Sequence, residues 1–125
     1  MSYTRFLYGV AVQNIFKILD LELFEKAQAL GHFAGAGIDM KDGYIHFSTA
    51  GQVEETARLH FHEQKNAVLL AVPQEKLGAL LKWEASRGEK LFPHLYGVLN
   101  MADVLWAKPL PWNGTAHDFP PETFL

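Results

Sequence analysis

The run Ala67-Val68-Leu69-Leu70-Ala71-Val72, closed by Pro73, constrains the fold of this chain more than any other segment. A strand shows alternate side chains to opposite faces, and here neither set is polar. The pattern therefore predicts a central strand buried on both sides. Upstream, Ile15 to Leu19 alternates apolar and polar residues around Lys17, as a first strand would. Asp20 then has the form of a helix N-cap, with Glu22 and Glu25 in the first turn against the positive end of the helix dipole. Leu23, Phe24, Ala27 and Leu30 recur at helical spacing, and Gly31 sits where a C-terminal cap belongs.

The segment from His32 to Asp42 is rich in Gly and Ala and has no period, so it reads as a loop. Gly35 and Gly37 lack the third glycine of a dinucleotide fingerprint, and no helix follows them directly. Asp42-Gly43 marks a turn, and Tyr44 to Ser48 is then a short strand. Thr49 and Gln52 have the spacing of a capping box, opening a helix to about Gln64 with Val53, Ala57 and Phe61 on one stripe. Gln74 to Leu80 reads as a turn or a short helical piece. Leu81, Trp83 and Ala85 alternate with Lys82, Glu84 and Ser86 as a strand, and Arg87-Gly88-Glu89 makes a tight return to Leu91. Val104 to Ala107 reads as the last strand. Helices near the beginning and hairpins later predict an α+β fold, a mixed or mostly antiparallel sheet with few covering helices. Residues 14–110 form the single domain in this reading. Residues 1–13 are a loose extension and residues 111–125 a proline-containing tail; the chain from Lys108, with four of the six prolines, is expected to be extended or partly disordered.

A chain of 125 residues is one domain with room for a single core. Its formal charge of −3 gives no electrostatic reason to expect DNA or an anionic membrane as partner. The absence of cysteine excludes disulfides, thiolate metal sites and cysteine nucleophiles. The apolar patch Phe6 to Val12 is too short for a membrane span and lacks the features of a signal peptide, so the expectation is a cytoplasmic protein. His60 and His62 lie two apart on a helix, which points them in nearly opposite directions and argues against a shared metal ion. No metal site is expected, and His32 and His117 have no evident partner.

The remaining histidines carry the functional signal. Within the strand Tyr44–Ser48, alternation places Tyr44, His46 and Ser48 on one face and Ile45 and Phe47 on the other. Phenol, imidazole and hydroxyl thus share a face while the opposite face belongs to the core. The strand's polar end also lies beside a helix N-terminus, which favours an anion. A second imidazole, His94, follows Pro93 and is therefore held extended. The plainer reading is that each histidine is a hydrogen-bonded core residue, since a buried ring must be satisfied. Trp83 reads as core from its apolar strand face. Glu84 and Lys82 read equally as ordinary exposed strand residues, with Arg87 a turn cation.

Three runs, Asp42-Gly43-Tyr44-Ile45-His46-Phe47-Ser48, Leu81-Lys82-Trp83-Glu84-Ala85-Ser86-Arg87-Gly88 and Phe92-Pro93-His94-Leu95-Tyr96-Gly97, resemble in order a small, mainly bacterial group, domain-of-unknown-function family 952. Gln52 and Val53 between them match too, and the likeness covers about Ile15 to Leu110. The fold of that family resembles the ADP-ribosylation fold of ADP-ribosyltransferases and NAD-consuming RNA 2′-phosphotransferases. Ile45-His46-Phe47-Ser48 is similar to the valine-His-leucine-Ser strand of the latter. The resemblance implies a split antiparallel sheet with NAD in the cleft between its halves. Carried onto matching positions, it makes His46 a partner of a ribose or phosphate, with Ser48 steadying an adjacent anion. Tyr44 or Tyr96 would stack on a nicotinamide or base, and His94 would act as donor or general base. Glu84 would stabilise the cationic sugar left by nicotinamide, with Arg87 holding it or a phosphate. Glu84 does not clearly match the superfamily's catalytic glutamate, and Lys17, counted with the cofactor-binding candidates, stands where many relatives carry an imidazole. The readings are an NAD-using transferase acting on a small acceptor or an RNA end, a non-catalytic module for a small nucleotide or metabolite, and an interaction domain whose histidines merely fix the sheet.

Overall fold

The computed structural model describes residues 5–7 and 10–125, with side chains from Gln13 onward except that of Arg87. Strands β1 (Arg5–Leu7) and β2 (Val10–Val12) pair as an antiparallel hairpin within the segment read as an extension.

The predicted central strand is central. In chain order, β3 (Asn14–Asp20) and the apolar run, here β6 (Ala67–Pro73), pair antiparallel, and β10 (Trp106–Leu110) lies on the other side of β6. Every residue of β6 is buried. Val68, Leu70 and Val72 enter a core with Ile15, Leu19, Ile45 and Leu99, against which Leu23 and Phe24 of helix α1 (Leu21–Leu30) pack. Ala67, Leu69 and Ala71 enter a second core with Phe16, Ile18, and Val53 and Ala57 of helix α3 (Val53–His60). One sheet thus carries a helix on each face, as a strand without a polar set demands. The first helix has the predicted ends: the Asp20 carboxylate accepts from Leu23 N–H at 2.8 Å, and Gly31 takes φ 83°.

A second three-stranded antiparallel sheet has the order β5 (Ile45–His46), β8 (Lys90–Leu95), β7 (Leu81–Ser86). The two sheets meet where Phe16 and Ser48 exchange N–H···O bonds of 2.8 and 2.9 Å. A short ladder of β4 (His32–Phe33) with β9 (Leu99–Asn100) completes the strand ladders among the described residues. All described pairings are antiparallel, and the fold is α+β.

Several local expectations are corrected. The supposed loop 32–42 holds β4 and a short helix, α2 (Ile38–Asp42), too brief to show a period. Half of the capping box forms: Gln52 Oε1 accepts from Thr49 N–H at 3.1 Å. The Gln52 and Val53 amides go to the Thr49 carbonyl, not to its hydroxyl, so the helix starts at Val53, and it ends at His60 rather than Gln64. Trp83 is not core but 38% exposed, because β7 is an outer strand and only Leu81 reaches the cluster beneath. The last strand runs Trp106–Leu110, later than predicted. The proline tail is ordered: Trp112 bridges His117, which is buried and meets the Gln64 carbonyl at 2.8 Å, and Pro121–Phe124 forms a 3-10 turn with Thr123 buried. Prolines there serve as turn and helix-start residues rather than as marks of disorder. Among the described residues no helix is long and apolar enough to cross a membrane.

Candidate functional site

Strand register brings the two histidines together. His46 of β5 stands opposite His94 of β8, which stands opposite Lys82 of β7. The rings of His46 and His94 are 5.3 Å apart, edge to face. Tyr44, two residues before His46 and so on the same face, lies flat against His94 with centroids 4.2 Å apart and planes at 21°. Its ring is 4.7 Å from that of His46 and 5.1 Å from that of Tyr96. Tyr44, His46, His94 and Tyr96 thus form one aromatic cluster. Ile45 and Phe47, on the other face, are buried in the core as expected.

Each imidazole is held by carboxylate. Nδ1 of His94, whose ring is 2% exposed, meets Glu84 Oε1 at 2.8 Å, and Tyr96 donates to the same oxygen at 2.8 Å. A proton on Nδ1 leaves Nε2 of His94 as an acceptor. These two bonds, from His94 first and Tyr96 second, lower the Glu84 pKa, while the hydrogen bond to Glu84, then burial, pushes the Tyr96 phenol up to about 12. Lys82 lies over the Tyr96 ring at 5.3 Å. His46 meets Asp39 Oδ1 through Nδ1 at 2.6 Å and Asp42 Oδ2 through Nε2 at 3.0 Å. Carboxylates only accept, so making both bonds at once needs a proton on each ring nitrogen. Asp39 is 3% exposed and also takes Lys17 Nζ at 3.0 and 3.1 Å. Burial would raise its pKa, but the His46 bond and the Lys17 charge outweigh that and hold it at about 2. Burial lowers the Lys17 pKa, against the opposing pull of Asp39. Burial, then the charges of Asp42 and Glu84, raise that of Tyr44.

These groups border a cavity of about 550 Å³ at the split between the sheets. Lys17, Tyr44, His46, Ser48 and His94 are in its wall, with Asp20, Asp39 and Asp42, and Phe16, Phe33 and Phe92 supply apolar surface. Glu84 and Tyr96 are not in the wall. The Ser48 hydroxyl, 2.8 Å from that of Thr56, already has a partner. The Arg87 side chain, proposed to hold Glu84 or a phosphate, lies outside the described residues.

Residues 18–107 match the family described as Protein of unknown function (DUF952). The chain belongs to this family. Protein CC0527 from Caulobacter crescentus is similar in sequence and shape. Its X-ray crystal structure is 43% identical with a TM-score of 0.81, over 84% of this chain and 93% of that one. Its solution NMR structure is 44% identical with a TM-score of 0.76, over 83% and 90%. A comparison with curated proteins finds no match. The DUF952 match includes every candidate site residue but Lys17, one position before its start.

Within this DUF952 chain, sequence reasoning missed Asp39 and Asp42. Both sit on α2, flanked by Gly37 at φ 57° and Gly43 at φ 83°. A glycine at each end of five residues holding two carboxylates is the signal that was available, since such glycines stop and start a short element.

Proposed function

We propose that the cleft binds a nucleotide of the NAD class, with the nicotinamide-ribose end at Tyr44, His46 and His94. The observation that carries this reading is the flat Tyr44–His94 pair on the wall of a cavity of about 550 Å³, flanked by imidazole and carboxylates. A flat aromatic face provides area and orientation for a ring ligand. Ligand pockets measure roughly 300–1,000 Å³, so the space suits a molecule of this size. The described wall has one lysine against three aspartates. That lysine, Lys17, is bonded to Asp39, so the wall offers a pyrophosphate no uncommitted lysine, which favours the nicotinamide-ribose end as the one recognised here.

The chemistry that fits is ADP-ribosyl transfer. The bond from ribose C1′ to the nicotinamide nitrogen breaks, its electron pair leaves with nicotinamide, and an acceptor oxygen attacks the sugar cation. Carboxylate near that cation stabilises it, and Nε2 of His94 is poised to take the acceptor's proton. A second reading, a non-catalytic nucleotide module, has its own support: Glu84 is outside the wall, with Oε1 engaged by both His94 and Tyr96.

Calorimetric titration with NAD, ADP-ribose and a 2′-phosphorylated RNA end tests the site. Saturable binding is expected, and His46→Ala should abolish it while the chain stays folded. Glu84→Gln should cut nicotinamide release by about 10²-fold, with binding nearly intact, if the enzyme reading holds. Unchanged release, or none in the wild type, selects the binding module. No binding by any of the three ligands removes the nucleotide reading and leaves the histidines a structural role.

A further inference from the structure

We infer that Asp39 is a positioning residue that wedges the two sheets apart and fixes the ring of His46. Only the ligand-binding arm of the test below rests on the nucleotide reading.

Strand alternation sets where the main-chain groups point. Phe16 directs its N–H and C=O to Ser48, and the amide of Leu21, of opposite parity, goes to Asn66, just before β6. Ile18 shares the parity of Phe16 and faces away from β6. On the other strand, Phe47 N–H goes to the Pro93 carbonyl of β8, so Ser48 and His46 direct their groups towards β3. Continued by two residues, the Phe16–Ser48 bridge would pair Ile18 with His46. The bridge stops after its one pair.

What meets His46 instead is Asp39. Its Oδ1 accepts from the His46 main-chain N–H at 3.0 Å and contacts Nδ1 of the same residue at 2.6 Å. A carboxylate oxygen thus receives the amide that the Ile18 carbonyl would otherwise take. Asp39 Oδ2 accepts from Ala36 N–H at 3.2 Å and from Lys17 Nζ at 3.0 Å. Lys17 is on β3 and His46 on β5, so one buried carboxylate is bonded to both lips of the split. A Cβ on Gly35 would come within 3.0 Å of the Asp39 Cβ, so the chain before α2 already lies close against it.

Nitrogen-15 NMR of the full chain tests this without any ligand. Asp39→Ala strands Lys17 in a buried site and invites unfolding, so the informative variant is the double change Lys17→Met with Asp39→Leu, which removes both charges. The strands should close in it: exchange of the Ile18 amide slows about tenfold or more, as one added hydrogen bond of ~1.4 kcal/mol requires. The His46 ring nitrogens should shift as Nδ1 loses its partner. Lys17→Met with Asp39→Asn, which also removes both charges but keeps an oxygen for the His46 amide, should leave Ile18 exchange as in the wild type. If the Asp39→Leu double variant folds with Ile18 exchange and the His46 ring signals unchanged, the inference is overturned. Titration of the same samples with NAD should show affinity about tenfold weaker or less in the Asp39→Leu double variant. A wild type that fails to bind NAD defeats the nucleotide reading, while the Ile18 and His46 signals still decide the role of Asp39.

Discussion

His46 and His94 face one another across a strand pair, yet their surroundings give them different work. His94 is buried, with one nitrogen on Glu84, while His46 is gripped at both nitrogens by α2. Asp39 makes this state depend on pH. Folding lowers its pKa from 3.8 to about 2, so its stabilisation is complete above pH 4 and is lost as pH falls from there through 2. The shift corresponds to about 2 kcal/mol. The urea midpoint should therefore drop more between pH 7 and pH 3 in the wild type than in Lys17→Met with Asp39→Asn, which has no carboxyl to titrate at that position and no stranded lysine. Alternation along one strand was enough to put Tyr44, His46 and Ser48 on a common face. No local pattern could reveal that the His46 partner is Asp39, because that contact depends on where α2 lies in space.

At the scale of elements, local chemistry was most legible where one side chain satisfies one backbone group. The Asp20 cap and the αL Gly31 bound α1 as their residue types require. Asp20→Ala should cost about 1 kcal/mol, read as a lower thermal midpoint with the fold unchanged. The box at Thr49 was less legible because its carbonyl competes with its hydroxyl for the same amides, and the carbonyl prevails. Alternation on β7 placed Glu84 and Lys82 on one face, and register puts that face beside His94. The same alternation misjudged Trp83, because a period of two separates faces but does not say how far the core extends beneath them.

For the whole molecule, the C-terminal segment closes the second core. Phe119 packs against it, His117 and Thr123 are buried, and Lys108 pairs with Glu122. Ending the chain at Pro111 should lower stability by about 3 kcal/mol, measurable as a shift in the urea midpoint, since buried side chains leave with the segment. A disordered tail would leave that midpoint unchanged. From sequence alone came the α+β class, the central strand β6, the limits of α1 and the polar face carrying His46, because each follows from spacing within a few residues. The split between the sheets, the carboxylate in it, the pairing of His94 with Glu84 and the docking of the tail were decided only in three dimensions. Those features join residues seven to more than fifty positions apart. A partner so remote leaves no period in the chain, and which distant groups meet is set by how the two sheets and their helices pack.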